Sequence, residues 1–224
     1  MINKFREWLG RVALIAVGAM CLIAIAKFKE FSDYKKIIAN LSADSRVADV
    51  LVTESKLDEA TGLFVTTVKF LEYDVDQSPL TPKYFTFHGN QIQFQALVAR
   101  FKDDLVKSGN PFKGKSVYLF LKAFVLNGAD TESFPITPVD EVPEGYEVKG
   151  ASSKLQKQIW QSFWRYALDP SKRDEIGLKN AQLEAPGSVF VPGTIYTVRI
   201  EHDGGLRIDT APIPEILKGE TIAP

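Results

Sequence analysis

The chain has a single cysteine, Cys21, among its 224 residues. That excludes an intrachain disulfide framework and any cysteine-rich zinc module. Only two histidines occur, His88 and His202. Catalytic zinc ordinarily takes three protein ligands, and there is no His-Glu-x-x-His spacing, so no metal site is expected. Neither sign of charge is in excess, with 27 Lys and Arg against 28 Asp and Glu. No global charge therefore draws the chain to nucleic acid. Long apolar stretches are missing apart from one, which excludes a multi-span membrane protein. Hydrophobic residues still make up 45% of the chain. That is enough to offset the ordering entropy, so a folded protein is expected.

The one long apolar stretch is Val12 to Ala26, VALIAVGAMCLIAIA, without a single charge. As a helix it rises about 22 Å, short of the roughly 30 Å hydrocarbon core. Trp8, Leu9, Phe28 and Phe31 extend it, and Arg11 and Lys27 can snorkel to the headgroups. A buried core helix normally keeps a polar stripe, and this run has none. We expect a transmembrane signal-anchor over residues 1–27, touching lipid through residues 8–28. A cleavable signal peptide is the rival reading. Lys4, Arg6 and Arg11 would be its basic region and Ala24-Ile25-Ala26 its small-x-small cleavage pattern. The apolar run continues into that triplet, which favours retention. Cys21 is no lipoprotein cysteine, because Leu22-Ile23-Ala24 continues the apolar segment. Lys and Arg nearly balance across the run. A short basic tail before a first span usually stays cytoplasmic, so the remainder is expected outside the cytoplasm, periplasmic in a two-membrane cell.

Residues 28–44 are expected as a membrane-proximal helix. Phe31, Tyr34, Ile38 and Leu41 recur at spacings of 3, 4 and 3, an a/d seam. Two heptads are too few to specify a coiled coil. The seam either packs on the following domain or self-associates.

Residues 45–224 are expected as one extracytoplasmic, β-rich domain. Val47–Glu54 and Leu63–Tyr73 are strand-like runs joined by a polar turn around Asp58–Gly62. Tyr84–His88 and Gln91–Phe101 flank Gly89-Asn90, which suggests a two-residue hairpin loop. That hairpin pairs Phe87 with Ile92 and Phe85 with Phe94. It would gather Tyr84, Thr86, His88, Gln91, Gln93 and Gln95 on the opposite face, as a solvated surface or a recognition surface. From Ala96 a helical period also fits, but strand is expected as far as Phe101. Ser116–Val125 is apolar on both faces and reads as a doubly covered strand. Gly128–Gly150 reads as an acidic, proline-bearing loop without a calcium-loop spacing. Ser152 or Ser153 caps a helix with Leu155, Ile159, Trp160, Phe163 and Ala167 on its inner stripe. At least one of Trp164 and Tyr166 is expected off that stripe, free to touch a partner. A second short helix is expected from Asp169-Pro170 to Gly177. Thr194–His202 and Leu206–Thr210 suggest a hairpin with a three-residue loop. Its register sets Ile200 opposite Ile208, Glu201 opposite Arg207 and Arg199 opposite Asp209.

Gly109 to Ser116 matches the phosphate-loop pattern G-x-x-x-x-G-K-[ST]. The chemistry needs a helix N-terminus behind the loop. Here Val-Tyr-Leu-Phe-Leu follows and prefers strand, and Pro111 removes a backbone donor. No nucleotide is expected. A Ser-His-Asp set has no nucleophile elbow to support it.

The expected fold class is α+β and β-rich. An N-terminal transmembrane helix precedes an antiparallel, sandwich-like domain of about seven or eight strands with a helical insertion. The expected role is a non-catalytic structural or interaction subunit of a membrane assembly, with a protein partner or a second copy and no cofactor. A periplasmic carrier or sensor domain for a small molecule or lipid is the alternative, and a membrane-anchored hydrolase a further one.

Overall fold

A computed structural model describes residues 2–41, 46–74, 76–101, 115–127, 130–169, 171, 178–184, 187–201 and 205–214. Helix α1 runs unbroken over Ile2–Asn40, so the expected span and membrane-proximal helix are one element. The strands β1 (Arg46–Asp58), β2 (Leu63–Glu72), β3 (Lys83–His88), β4 (Gln91–Phe101), β5 (Ser116–Asn127) and β6 (Asp130–Pro135) follow. A 3-10 turn at Glu144–Tyr146 leads to α2 (Ser153–Leu168). Then come β7 (Leu178–Glu184), β8 (Gly187–Val189), β9 (Thr194–Ile200) and β10 (Leu206–Pro212). The described residues thus hold ten strands, more than the seven or eight expected. Two short strands, β6 and β8, lie in segments whose polar and proline-rich composition reads as loop.

The strands form two antiparallel sheets, ordered β10-β9-β1-β2-β3 and β6-β5-β4-β7, with β8 also on β4. Alternation sends Ala48, Val50 and Val52 of β1 and Val68 and Phe70 of β2 into one core. Phe94 of β4 and Tyr118 and Phe120 of β5 meet them from the other sheet. Phe70 sits at the centre, stacked on Phe94 at 5.3 Å and edge-on to Phe120 at 5.4 Å.

The second sheet is covered on its other face too. Val117 and Leu119 of β5, and Leu97, Ala99 and Phe101 of β4, enter a separate core with α2. The doubly covered β5 is as expected. The same double cover explains why β4 beyond Ala96 also fits a helical period: both faces are apolar. Helix α2 starts at Ser152, whose Oγ accepts from Leu155 N. It buries Ile159, Trp160, Phe163, Trp164 and Ala167.

Two expected hairpins differ in the structure. β3 and β4 do not pair. β3 pairs with β2 and β4 with β5, β7 and β8, so Gly89-Asn90 carries the chain from one sheet to the other. Gly89, at φ 94°, donates its N–H to Phe64 O at 2.6 Å. Asn90 O accepts from Phe190 N at 2.7 Å. Each link residue is therefore tied to a different sheet. Phe85, Phe87, Ile92 and Phe94 are all buried in the shared core, as a hairpin would also have required. An alternating pattern cannot separate one buried face from two facing ones.

The last hairpin forms, but its register slides by two residues. Ile200 lies opposite Leu206, and Arg207 opposite Arg199. A slide of two keeps every side chain on its face. The foreseen charge pairs survive on diagonals, with Arg207 reaching Glu201 at 2.8 Å and Arg199 reaching Asp209 at 3.6 Å. The expected short helix after Asp169 and most of the phosphate-loop pattern lie outside the described residues. Ser116 opens a strand, so no helix starts behind that pattern.

Candidate functional site: the junction of α1 with the domain

From Ile15 to Phe31, α1 is exposed on every side. Ile15 is 71% exposed, Leu22 70% and Phe28 75%. Apolar side chains all round a helix need burial in lipid or protein, because water cannot stabilise them. Among the described residues no helix is long and apolar enough to cross a membrane. The run from Val12 begins three residues before Ile15, the first whose side chain is described.

The exposure ends abruptly at Asp33, which is buried. Asp33 Oδ2 accepts from Ser152 N at 3.1 Å, placing a carboxylate on the first turn of α2, where the helix dipole favours negative charge. One turn on, Ile37, Ile38 and Leu41 are buried. Ile38 and Leu41 belong to the core under α2, with Tyr34 packed against it. That burial pushes the Tyr34 hydroxyl above its ordinary pKa.

The segment before α2 straps the joint. Asn40 Nδ2 donates to Tyr146 O at 3.2 Å. Tyr146 OH donates to Tyr118 O and accepts from Tyr118 N, both at 3.0 Å. Gln156 closes a two-bond clasp on Val148. Tyr146 and Gln156 were not singled out in the sequence, since a tyrosine in an acidic loop and a glutamine among lysines carry no periodic signal.

The sequence candidates separate. Within the seam, Ile38 and Leu41 serve the chain's own core, Tyr34 is half-buried, and Phe31 stays 56% exposed. Trp164 lies one helical turn after Trp160 and so shares its stripe. It is buried and donates Nε1 to Glu141 O at 2.8 Å, leaving Tyr166 as the half-buried, off-stripe aromatic. The six residues expected on one hairpin face do not share one. Tyr84, Thr86 and His88 lie on β3 and Gln91, Gln93 and Gln95 on β4, in different sheets, each row alternating with residues that face the common core.

His88 is exposed, and His202 lies outside the described residues. Asp58, which feels the His88 charge, is held below its ordinary pKa chiefly by the Thr61 hydroxyl and then the Ala60 N–H. No group of three or more metal-capable side chains occurs among the described residues. A cleft of about 530 Å³ is lined by Asp74, Asp76, Ser78, Thr81, Glu144 and Glu147, with Lys149 also at its wall. Thr81 donates both N–H and hydroxyl to Glu144 there. An apolar surface that sequence reasoning missed caps the β1–β2 hairpin. Leu57 and Phe64 face each other across the strands, and both are about half exposed, as is Leu63.

One buried-edge network has a measurable signature. Asp49 accepts from Tyr73 OH and from Thr197 Oγ1, each at 2.8 Å, joining β1 to β9 and to the residue just past β2. Burial first, then the bond to Asp49 and its charge, pushes the Tyr73 pKa from 10.0 to about 12. The folded state therefore holds this proton more tightly than the unfolded chain. Its contribution is complete below pH 10.0 and is lost as pH rises towards about 12. Thermal melts across that window should show a falling midpoint, and Tyr73→Phe should flatten that part of the profile.

Comparison of the chain with family models, curated proteins and solved structures finds no match.

Proposed function

We propose that the chain is a single-pass membrane-anchored envelope protein, a non-catalytic structural or interaction subunit of a larger membrane assembly. The observation that carries this is the division of α1. Its residues 15–31 project from the domain, with apolar side chains on all sides as far as Ala26, while Asp33 to Leu41 are fixed into the domain by burial and hydrogen bonds. An anchor must be apolar all round, and an anchored domain must hold its anchor firmly. Both conditions meet within one helix. The two facing sheets form a sandwich-like layer pair with α2 over the second sheet. The Leu57, Leu63 and Phe64 tip supplies an apolar surface of the kind that partner subunits cover. The domain lies outside the cytoplasm, following the short basic tail.

Protease added to spheroplasts should digest the domain, and protection there reverses the orientation. After extraction of native membranes in mild detergent, the chain should migrate in a species well above its own 25.0 kDa plus a micelle. Migration as a lone monomer counts against the subunit reading.

A further inference from the structure

We propose that the base of the stalk is a docking surface for anionic lipid headgroups, formed jointly by α1 and the first turns of α2. The inference rests on the anchor reading and adds what the anchored domain does at the surface. Six lysines are exposed on these two elements: Lys27, Lys29, Lys35 and Lys36 on α1, and Lys154 and Lys157 on α2. Only two carboxylates lie among them in sequence. Glu30 pairs with Lys27 at 2.9 Å, and Asp33 is buried and spent on Ser152 N. Lys35 lies over the Phe31 ring at 4.5 Å. Lys29, Lys36, Lys154 and Lys157 pair with no carboxylate among the described residues. Helix α2 itself, SKLQKQIWQSFWRYAL, carries no acidic residue.

Depth turns this charge into a surface for lipid. Phe28 and Phe31 are exposed, and Phe31 is only about 3 Å along the helix axis from Asp33. Asp33 in turn holds the start of α2 by a 3.1 Å bond. If α1 is inserted as far as these phenylalanines, the first turn of α2 lies within the headgroup layer, which is roughly 5–7 Å deep on each side. Lys29 and Lys154 line one open cleft of about 580 Å³ between the helices, together with Glu30, Asp33 and Gln158. Asp33 accepts from Ser152 N and Ser152 Oγ from Leu155 N, and the ammonium groups of Lys29 and Lys154 stand at the same helix start. Attraction of these ammonium groups to an anionic surface is electrostatic and is screened by salt.

The test uses the full chain in vesicles of phosphatidylcholine alone and of phosphatidylcholine with phosphatidylglycerol, reading amide hydrogen exchange in the first two turns of α2. Exchange there should slow several-fold in the anionic vesicles, and high salt should abolish the difference. Lys154→Gln with Lys157→Gln should also abolish it while leaving the melting temperature unchanged. Equal exchange in the two vesicles overturns the proposal, as does slowing that survives both substitutions. Inorganic phosphate reproducing the effect on neutral vesicles would make this a site for free anions and overturn the lipid assignment. Failure of the chain to float with either vesicle would instead remove the anchor reading, a distinct result.

Discussion

Ile38→Asp should lower the melting temperature of the protein by roughly 8–16 °C, because each kcal/mol shifts a domain of this size by about 2–4 °C. Ile38 is 6% exposed within the core of Leu97, Leu119, Trp160 and Phe163. Removing a buried isoleucine costs about 2–5 kcal/mol, and a carboxylate in its place adds a desolvation cost, so about 4 kcal/mol or more is expected. Phe31→Asp, seven residues earlier on the same seam but exposed, should move the midpoint little, since surface changes usually stay within about 0.5 kcal/mol. Differential scanning calorimetry of both variants checks the pair. An unchanged midpoint for Ile38→Asp, with loss of a native-gel complex, would assign the seam to a partner.

Phe70→Ala should have a comparable effect on the other core, about 3–5 kcal/mol. Phe70 contacts Phe85, Phe94 and Phe120 at ring distances of 6.0, 5.3 and 5.4 Å, so its loss opens a cavity between both sheets. Truncating Leu57 at the exposed tip should cost far less, because its environment changes little on folding. Urea unfolding followed by near-ultraviolet circular dichroism measures both. Near-equal midpoints for the two variants would mean the sheets do not share the core described.

What the sequence made legible follows from what its patterns encode. Strand-like runs located β1 to β5, β9 and β10, and alternation gave the buried residues Phe85, Phe87, Ile92 and Phe94, since face is a local property of a strand. Partner choice is not local. The Gly89-Asn90 link has the same alternation whether β3 and β4 pair or face each other, so the polar residues Tyr84 to Gln95 expected on one hairpin face lie in two sheets. The β9–β10 register slid by two because the step of two leaves both polarity and charge patterns satisfied. The junction was half legible. The Phe31 to Leu41 spacing revealed a stripe and left open what covers it, and α2 with β4 and β5 now supplies the cover for Ile38 and Leu41. Asp33 reaching Ser152 joins residues 119 positions apart, and no local pattern carries that contact.

The anchor itself is tested most directly by Cys21, the chain's only cysteine, which sits within the apolar run and is exposed on the free helix. In intact native membranes a water-soluble maleimide should leave Cys21 unlabelled, while a lipid-soluble maleimide reaches it. After denaturation in sodium dodecyl sulfate the water-soluble reagent should label it fully. Complete labelling by the water-soluble reagent in untreated membranes would place residue 21 in water and contradict the account.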